Sequence, residues 1–403
     1  MGETRAMWKA WIVQAALIIL FSAIPLPSPS SAQENAGSPF LMVRVGLAVN
    51  QPVVEVGAAG PVDVEDVTSG ERRHLGGGRW VIFPIAKGLE ISGIGPLGPV
   101  VRFLPSPGTR MTYKSRAYRG NFLVRRDPAG LRLTLINEVD LEEYLYGVLK
   151  MEISPTWPME ALKAQAVAAR TLAVYLIQQG RYREEGYDVR DTVESQVYAG
   201  INAEDPLTTQ AVDATRGLIL SSQGRPINAV YHADSGGHTE DSEYVWGRFY
   251  PYLRGIPDPY SGDSPYSQWS LRMSFEEIEE RLRRMGFNFQ GIQRIEPVQR
   301  SPSGRVTRVR ITAARGNGEI SGEQLRRALG YDLLRSTKFT ILPLPGEVGP
   351  AVEFRGSGWG HGVGLPQWSA RNMAISGRTF EEILTYYYQG ISVLPIRALT
   401  ISN

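Results

Sequence analysis

Hydrophobic positions along this chain follow two rhythms, and the change comes near residue 137. From Phe40 to about Ile136 apolar residues recur in short, partly alternating runs: Leu41-Met42-Val43-Arg44-Val45-Gly46-Leu47, Val53-Val54-Glu55-Val56, Trp80-Val81-Ile82-Phe83 and Leu131-Arg132-Leu133-Thr134-Leu135-Ile136. Such runs are the signature of strands, in which successive side chains point to opposite faces. Turn-forming stretches separate them, among them Ala58-Ala59-Gly60-Pro61, Gly76-Gly77-Gly78 and Asp127-Pro128-Ala129-Gly130. A β-rich N-terminal region is predicted. No fixed-period repeat stands out, which argues against a solenoid or propeller.

After Asn137 the spacing becomes helical. Asp140 reads as an N-cap, Glu142 and Glu143 as an acidic first turn, and Leu141, Leu145, Val148 and Leu149 as one apolar face, so a helix is expected from Leu141 to about Met151. Ser154-Pro155-Thr156-Trp157 interrupts it, and Pro158 suits the first turn of a second helix that runs to about Gln179 and stops at Gly180. Six alanines between Ala161 and Ala173 give that helix small sides, suited to close packing. Farther on, the pattern predicts helices at Thr208–Thr215, Phe275–Met285, Ser321–Leu329 and Thr379–Tyr388, and a strand at Val306–Ala313. A hairpin is expected from Leu218–Leu220 and Ile227–Tyr231 around Gln223–Pro226. In Phe275–Met285, Glu277/Arg281, Glu279/Arg283 and Glu280/Arg284 are each four apart, which reads as a solvated face carrying its own counter-charges. The fold class is α+β.

Composition narrows the function. With 403 residues, 42% hydrophobic and 21% charged, the chain has the make-up of a globular protein of two or three units. Lys and Arg total 43 against 41 acidic residues, a formal net charge of +2, which disfavours a nucleic-acid partner. There is no cysteine, so disulfides, a stable disulfide partner, thiolate metal ligands and a cysteine nucleophile are excluded. Near the N-terminus Arg5 and Lys9 precede an apolar stretch from Trp11 to Ile24, prolines follow at 25, 27 and 29, and Ser30-Ser31-Ala32 precedes Gln33. That is the order of parts in a secretory signal over residues 1–32. The 14-residue stretch is short of the roughly 20 that a spanning helix needs, which favours a cleaved peptide over a retained anchor. Export to the periplasm or cell wall is expected, with membrane retention by an uncleaved signal as the alternative.

Three segments carry more polar, glycine and aromatic residues than packing alone asks for. In Lys150-Met151-Glu152-Ile153-Ser154-Pro155, Glu152 stands at a helix exit. The negative end of the helix dipole and partial burial both favour a protonated carboxyl there, as a general acid acting on an acetal requires. The alternative is a salt bridge to Arg170 or a lysine. The second segment, Tyr231-His232-Ala233-Asp234-Ser235-Gly236-Gly237-His238-Thr239-Glu240, sets two His, two acids and two hydroxyls around a Gly pair. Its His spacing matches no standard zinc signature, and Ser235 lacks the nucleophile-elbow context. The third, Gly356-Ser357-Gly358-Trp359-Gly360-His361-Gly362-Val363-Gly364, has Gly at every second position. As an extended segment it would bare a glycine face, with Trp359 and His361 opposite it for a sugar ring to stack on; tight packing is the alternative. His74, beside Arg72 and Arg73, reads as a surface residue.

Together these segments resemble the SpoIID/LytB family of bacterial cell-wall proteins. The resemblance is carried by Leu141-Glu142-Glu143-Tyr144-Leu145-Tyr146-Gly147-Val148, Glu152-Ile153-Ser154-Pro155, the stretch Ala161 to Thr171, His232 to Glu240, and Gly358 to Ala370. It implies a SpoIID-like catalytic domain over 119–403, with its core at 139–393, preceded by a β-rich region at 33–118. It further implies a lytic transglycosylase that cleaves peptidoglycan glycan strands between N-acetylmuramic acid and N-acetylglucosamine, with a preference for strands stripped of peptide. The catalytic glutamate of the family falls on Glu152, which would act as acid and then as base, leaving a 1,6-anhydro end without any cofactor. The surrounding cleft is expected to hold Gln165, Arg170, His232, Ser235, Glu240, Trp359, His361 and Gln367.

This sequence departs from the family in two places. Some relatives hold zinc partly through cysteines near the Ser-Gly-Gly segment, and none is present here, so no metal site is expected. Where Met-Ser-Gln-Tyr-Gly-Ala is common, this chain has Leu365-Pro366-Gln367-Trp368-Ser369-Ala370. Two rival readings stand beside the enzyme: a non-catalytic glycan-binding enhancer whose partner is an N-acetylmuramoyl-L-alanine amidase, and a metal-dependent hydrolase using His232, His238 and Asp234.

Overall fold

The computed structural model describes residues 41–344 and 350–398. The expected signal segment lies outside them. Among the described residues no helix is long and apolar enough to cross a membrane. They divide into two compact units, one made of 41–156, 169–219 and 395–398 and the other of 157–168, 220–344 and 350–394.

In the first unit the short apolar runs pair as strands. Met42–Gln51 runs antiparallel to Leu133–Asp140, with Val45 opposite Asn137, and its inward residues Val43 and Val45 are fully buried. Seven strands form one sheet in the order Val189–Arg190, Met42–Gln51, Leu133–Asp140, Asn121–Arg126, Val100–Pro105, Val62–Asp66, Arg72–Leu75. A six-stranded sheet carries Val54–Ala58 and Gly78–Ile85 at its centre. Trp80 of that sheet meets Phe103 of the first with ring centroids 5.8 Å apart, so the sheets share a core. The domain boundary expected at 118/119 falls inside this architecture, because Asn121–Arg126 pairs with Val100–Pro105 on one side and Leu133–Asp140 on the other. The strand signal itself ran on to Ile136, and hydrogen bonding follows that signal.

Three helices follow: α1 (Leu141–Glu152), α2 (Met159–Gln179) and α3 (Pro206–Ala214). The cap expected at Asp140 forms, and α3 starts two residues before the expected Thr208 because Asp205 caps it ahead of Pro206. Asp140 accepts hydrogen bonds from the amides of Glu142 and Glu143 at 2.9 and 3.4 Å, and Asp205 accepts from Leu207 at 3.0 Å. Gly180, at φ 60°, ends α2 in the left-handed conformation that glycine adopts without strain.

The second unit contains α4 (Ser242–Trp246), α5 (Phe275–Arg284), α6 (Gly322–Leu329), α7 (Gln367–Ile375) and α8 (Phe380–Tyr387). Two three-stranded sheets and α5 and α6 enclose a core of Ile278, Leu282, Val309, Ile311, Leu325, Leu329 and Phe354. Of the three expected Glu/Arg pairs on α5, Glu280–Arg284 forms, at 3.0 Å. Glu277 instead closes a capping box with Ser274, and Glu279 accepts the amide of Gly291 at 2.7 Å. The predicted hairpin shrinks to Ser221–Ser222 against Arg225–Pro226. Its expected second strand is diverted: the Asn228 amide donates to the Tyr252 hydroxyl at 3.1 Å, and Tyr231–His232 pairs in parallel with Leu365–Pro366.

Candidate active site

The helical segment of the first unit holds two glutamates of different character. Glu142, in the first turn of α1, accepts from Arg170 Nη2 at 2.6 Å and Nε at 2.9 Å, and from the Gly217 amide at 3.0 Å. The guanidinium also donates to the carbonyls of Val212 and Leu218, both at 3.1 Å. Arg170 is fully buried and Glu142 is 5% exposed. Arg170, expected to line the cleft, therefore locks α1 to the end of α3 and the chain beyond it. The acid it meets is Glu142, because a guanidinium without solvent must satisfy its donors on groups already inside.

Glu152 is the last residue of α1 and 7% exposed, so the helix exit and the burial inferred for it are both present. Ile153 leaves the helix in an extended conformation, and Ser154 and Thr156 then bond to each other at 3.0 Å. One neighbour is Tyr144: burial first, then the charges of Glu152 and Asp191, push its phenol well above its ordinary range. Tyr144 packs on Tyr198 at 5.0 Å between centroids. A Cβ at Gly147 would meet Tyr198 Cε2 at 2.6 Å, which accounts for glycine inside a helix. Asp191, which the sequence did not single out, has its carboxyl pushed up to about 6 by burial, against the opposing pull of Arg116, Lys114 and Arg190. Only the fold supplies that signal.

The His- and Gly-rich segments meet inside the second unit and form a closed polar network. His232 donates from Nδ1 to the Val363 carbonyl at 3.1 Å, and His361 donates from Nε2 to the Tyr231 carbonyl at 3.0 Å while its Nδ1 accepts the Val363 amide at 3.0 Å. The rings are 5.2 Å apart, and Trp246 lies 5.1 Å from His361. Burial leads in holding both imidazoles neutral, His361 down at about 3 and His232 well below its usual range. Ser235 donates to Asp258 at 2.5 Å, and Ser369 and Tyr387 donate to the same carboxylate at 2.7 and 2.8 Å. Glu240 accepts from Ser301 and from Ser303. Arg305, fully buried, donates to the carbonyls of Ser235 and His238 at 2.7 and 3.0 Å. Neither Asp258 nor Arg305 carries a sequence signal that marks it.

The glycine run is not the extended ribbon expected. Gly358, Gly360, Gly362 and Gly364 have φ of 78°, 118°, 86° and 73°, and a Cβ at Gly360 or Gly364 would meet His232 Cβ at 2.6 Å or the Val230 carbonyl at 2.2 Å. Close packing is what needs these glycines. Trp359, expected to face a sugar, is 7% exposed; its Nε1 donates to Tyr331 and its ring meets Tyr266 edge-on at 4.3 Å. Among the described residues no group of three or more His, Asp or Glu side chains is placed to hold a metal ion, and the proposed trio breaks up because His238 turns to the Thr239 carbonyl. Gln165 and Gln367 do come together, at 3.4 Å, and Gln165 Nε2 is buried without a hydrogen-bond partner. Beside them Trp157 packs against Trp368, with centroids 5.0 Å apart.

Residues 130–221, which carry both glutamates, match the model of the stage II sporulation protein (SpoIID) family, and residues 260–364 match a domain of unknown function (DUF8618). An uncharacterised protein of Brachyspira hyodysenteriae is 34% identical over 76% of this chain and 80% of its own length. Stage II sporulation protein D of Bacillus subtilis is 32% identical over 64% of this chain and 75% of its own. The amidase enhancer of Bacillus subtilis is 26% identical over 62% of this chain, a match that takes in 40% of the enhancer.

Proposed function

Since this chain belongs to the stage II sporulation protein D (SpoIID/LytB) family, we propose that it acts on the bacterial cell wall as a lytic transglycosylase of peptidoglycan glycan strands, with Glu152 as the catalytic group. The observation that carries the reading is a buried carboxyl at the C-terminal end of α1, inside the segment that matches the family. A helix C-terminus and a low-dielectric setting favour the uncharged acid, the form needed to donate a proton. Glu152 gives its proton to the bridging oxygen as the bond from muramyl C1 to that oxygen breaks. The muramyl 6-hydroxyl then closes on C1 and returns its proton to the Glu152 carboxylate. No water is consumed, and one carboxyl serves both steps, unlike the paired carboxylates of hydrolytic glycosidases. Export to the wall through the N-terminal segment is part of the proposal.

The test is to incubate the protein and a Glu152→Gln variant with peptide-free glycan strands and examine the products by mass spectrometry. Anhydromuramyl ends from the parent alone are expected. Strands bound but never cut would instead support the second reading, a glycan-binding enhancer of an N-acetylmuramoyl-L-alanine amidase, which the likeness to the amidase enhancer favours.

A further inference from the structure

Besides the acid proposed for cleavage, the first unit holds a second carboxyl that its own structure leaves unused. Asp191 follows Val189–Arg190, the edge strand of the seven-stranded sheet. Beyond its own backbone amide, its carboxyl has no hydrogen-bond partner and no ion pair among the described residues. The segment that carries it is fixed. The Tyr198 amide donates to the Asp191 carbonyl at 3.2 Å and the Arg190 amide to Ser195 Oγ at 3.1 Å. Buried Gln196 donates to the Ala169 carbonyl at 3.2 Å and accepts from the Tyr144 hydroxyl at 3.3 Å.

Two cations face this carboxyl from the six-stranded sheet. Its edge hairpin, Met111–Tyr113 against Arg116–Tyr118, turns through Lys114 and Ser115 at φ 46° and 64°. Both lie in the left-handed region without being glycine, and strain of that kind persists only where the surroundings hold it. The hairpin is tied down by the Ala117 amide, which donates to Asn202 Oδ1 at 3.0 Å. Lys114 and Arg116 are exposed at its tip. Among the described residues neither is within ion-pair distance of an acid, although Arg119 and Arg190 of the same unit each are. Burial outweighs the pull of Arg116, Lys114 and Arg190 on the Asp191 proton, the mark of cations that face a carboxyl without touching it.

The group adjoins Glu152. Tyr144, Val148 and Glu152 are four apart on α1 and share a face, and the buried Tyr144 phenol feels the charges of both Glu152 and Asp191. An acid that lacks donors, beside cations that lack acceptors, suits a ligand rich in hydroxyls, which donate to the one and accept from the others. Such a ligand is uncharged: a carboxylate would satisfy the cations but be repelled by Asp191, and an amine the reverse.

We propose that Asp191, Lys114 and Arg116 form a subsite for the neutral amino sugar of the strand, N-acetylglucosamine, whose 3-hydroxyl donates to Asp191. The inference rests on the glycan reading above and adds which sugar is held beside the acid. A muramyl ring carries an ether at that oxygen and has no proton to give there. Seating N-acetylglucosamine at this subsite therefore sets the register of an alternating strand, and with it which of the two kinds of glycosidic bond meets Glu152.

Calorimetric titration of the full chain in a Glu152→Gln background measures binding apart from cleavage. Its ligands are N-acetylated chitotetraose and the same tetrasaccharide methylated at its 3-hydroxyls. Chitotetraose is expected to bind about tenfold or more tightly, because a site built to accept a hydroxyl proton is left unpaired by the ether. Asp191→Ala should abolish that preference, Asp191→Asn should keep part of it through the amide carbonyl, and Arg116→Ala should weaken both ligands alike. Equal affinity for the two ligands, or a preference that survives in Asp191→Ala, overturns the subsite, and the first of these outcomes depends on no variant at Asp191 folding. Failure to bind either ligand removes the glycan reading and the subsite together. A preference for chitotetraose, in a protein whose parent form never cuts glycan, leaves the subsite standing and removes only the transglycosylase reading.

Discussion

The helical segment around α1 and α2 and the His- and Gly-rich loops of the second unit are equally dense in polar motif residues, yet they handle burial in opposite ways. The first buries full charges, Glu142 against Arg170. The second buries neutral imidazoles beside charged groups that take uncharged partners: Asp258 and Glu240 are capped by Ser and Tyr donors, and Arg305 donates to backbone carbonyls. A concentration of polar residues therefore does not mark an active site by itself. Here most of them are consumed in holding the chain together, and the acid proposed for chemistry stands on the same helix as a purely structural one.

The contrast can be tested from its largest consequence downward. Arg170→Ala leaves the Glu142 carboxylate buried without its counter-charge, and loss of about 3–5 kcal/mol is expected in urea unfolding. Glu152→Gln should leave the unfolding midpoint close to that of the parent while abolishing cleavage. If both substitutions destabilise alike, the division of labour between the two glutamates is wrong. In the loops, Gly364→Ala adds a Cβ 2.2 Å from the Val230 carbonyl at φ 73°, and about 2–4 kcal/mol should be lost. Gly377→Ala, at φ 84° with open space around the new Cβ, is the control and should cost about 1–2 kcal/mol from backbone strain alone.

Acid separates the two regions by sign. His361 and His232 have depressed values in the fold, so below about pH 6.5 the unfolded chain binds protons that the native one does not. Stability contributed there is present above that pH and should fall on acidification by about 1.4 kcal/mol per pH unit for each imidazole. Asp191 behaves conversely. Its carboxyl is raised to about 6, so the native chain holds the extra proton between about pH 4 and 6, and acidification through that window favours the first unit. Hydrogen exchange followed from pH 7 to 5 should show His361 and its surroundings opening first. Uniform loss of protection, or earlier opening around Asp191, would contradict this. The smallest effect belongs to the α5 surface: Glu280→Ala removes exposed contacts to Arg283 and Arg284 and should leave the urea unfolding midpoint indistinguishable from that of the parent.

Element boundaries were legible wherever their causes are local. Asp140 and Asp205 cap helices through their own side chains, and Ser274, Ser321 and Thr379 each close a capping box with the residue three places on. The chain-long order of motifs was legible too, and with it the family. The candidate site was less so. Glu152 was marked by its place at a helix exit, but the aromatic pair Trp157 and Trp368 gave no more than a passing sign, and Asp191 gave none.

What sequence alone determined is thus six of the helices, α4 and α7 having gone unread, together with the strand-rich beginning, the position of Glu152 and the absence of any thiol chemistry, since each depends on residue type or on neighbours within a turn. Tertiary structure alone decided that Arg170 meets Glu142 across 28 positions, that His232 and His361 bond to the backbone about 130 positions away, and that the glycines serve close packing instead of a sugar face. Burial is the reason. Once water is gone, a polar group takes whichever partner the fold places beside it, and distance along the chain no longer limits the choice.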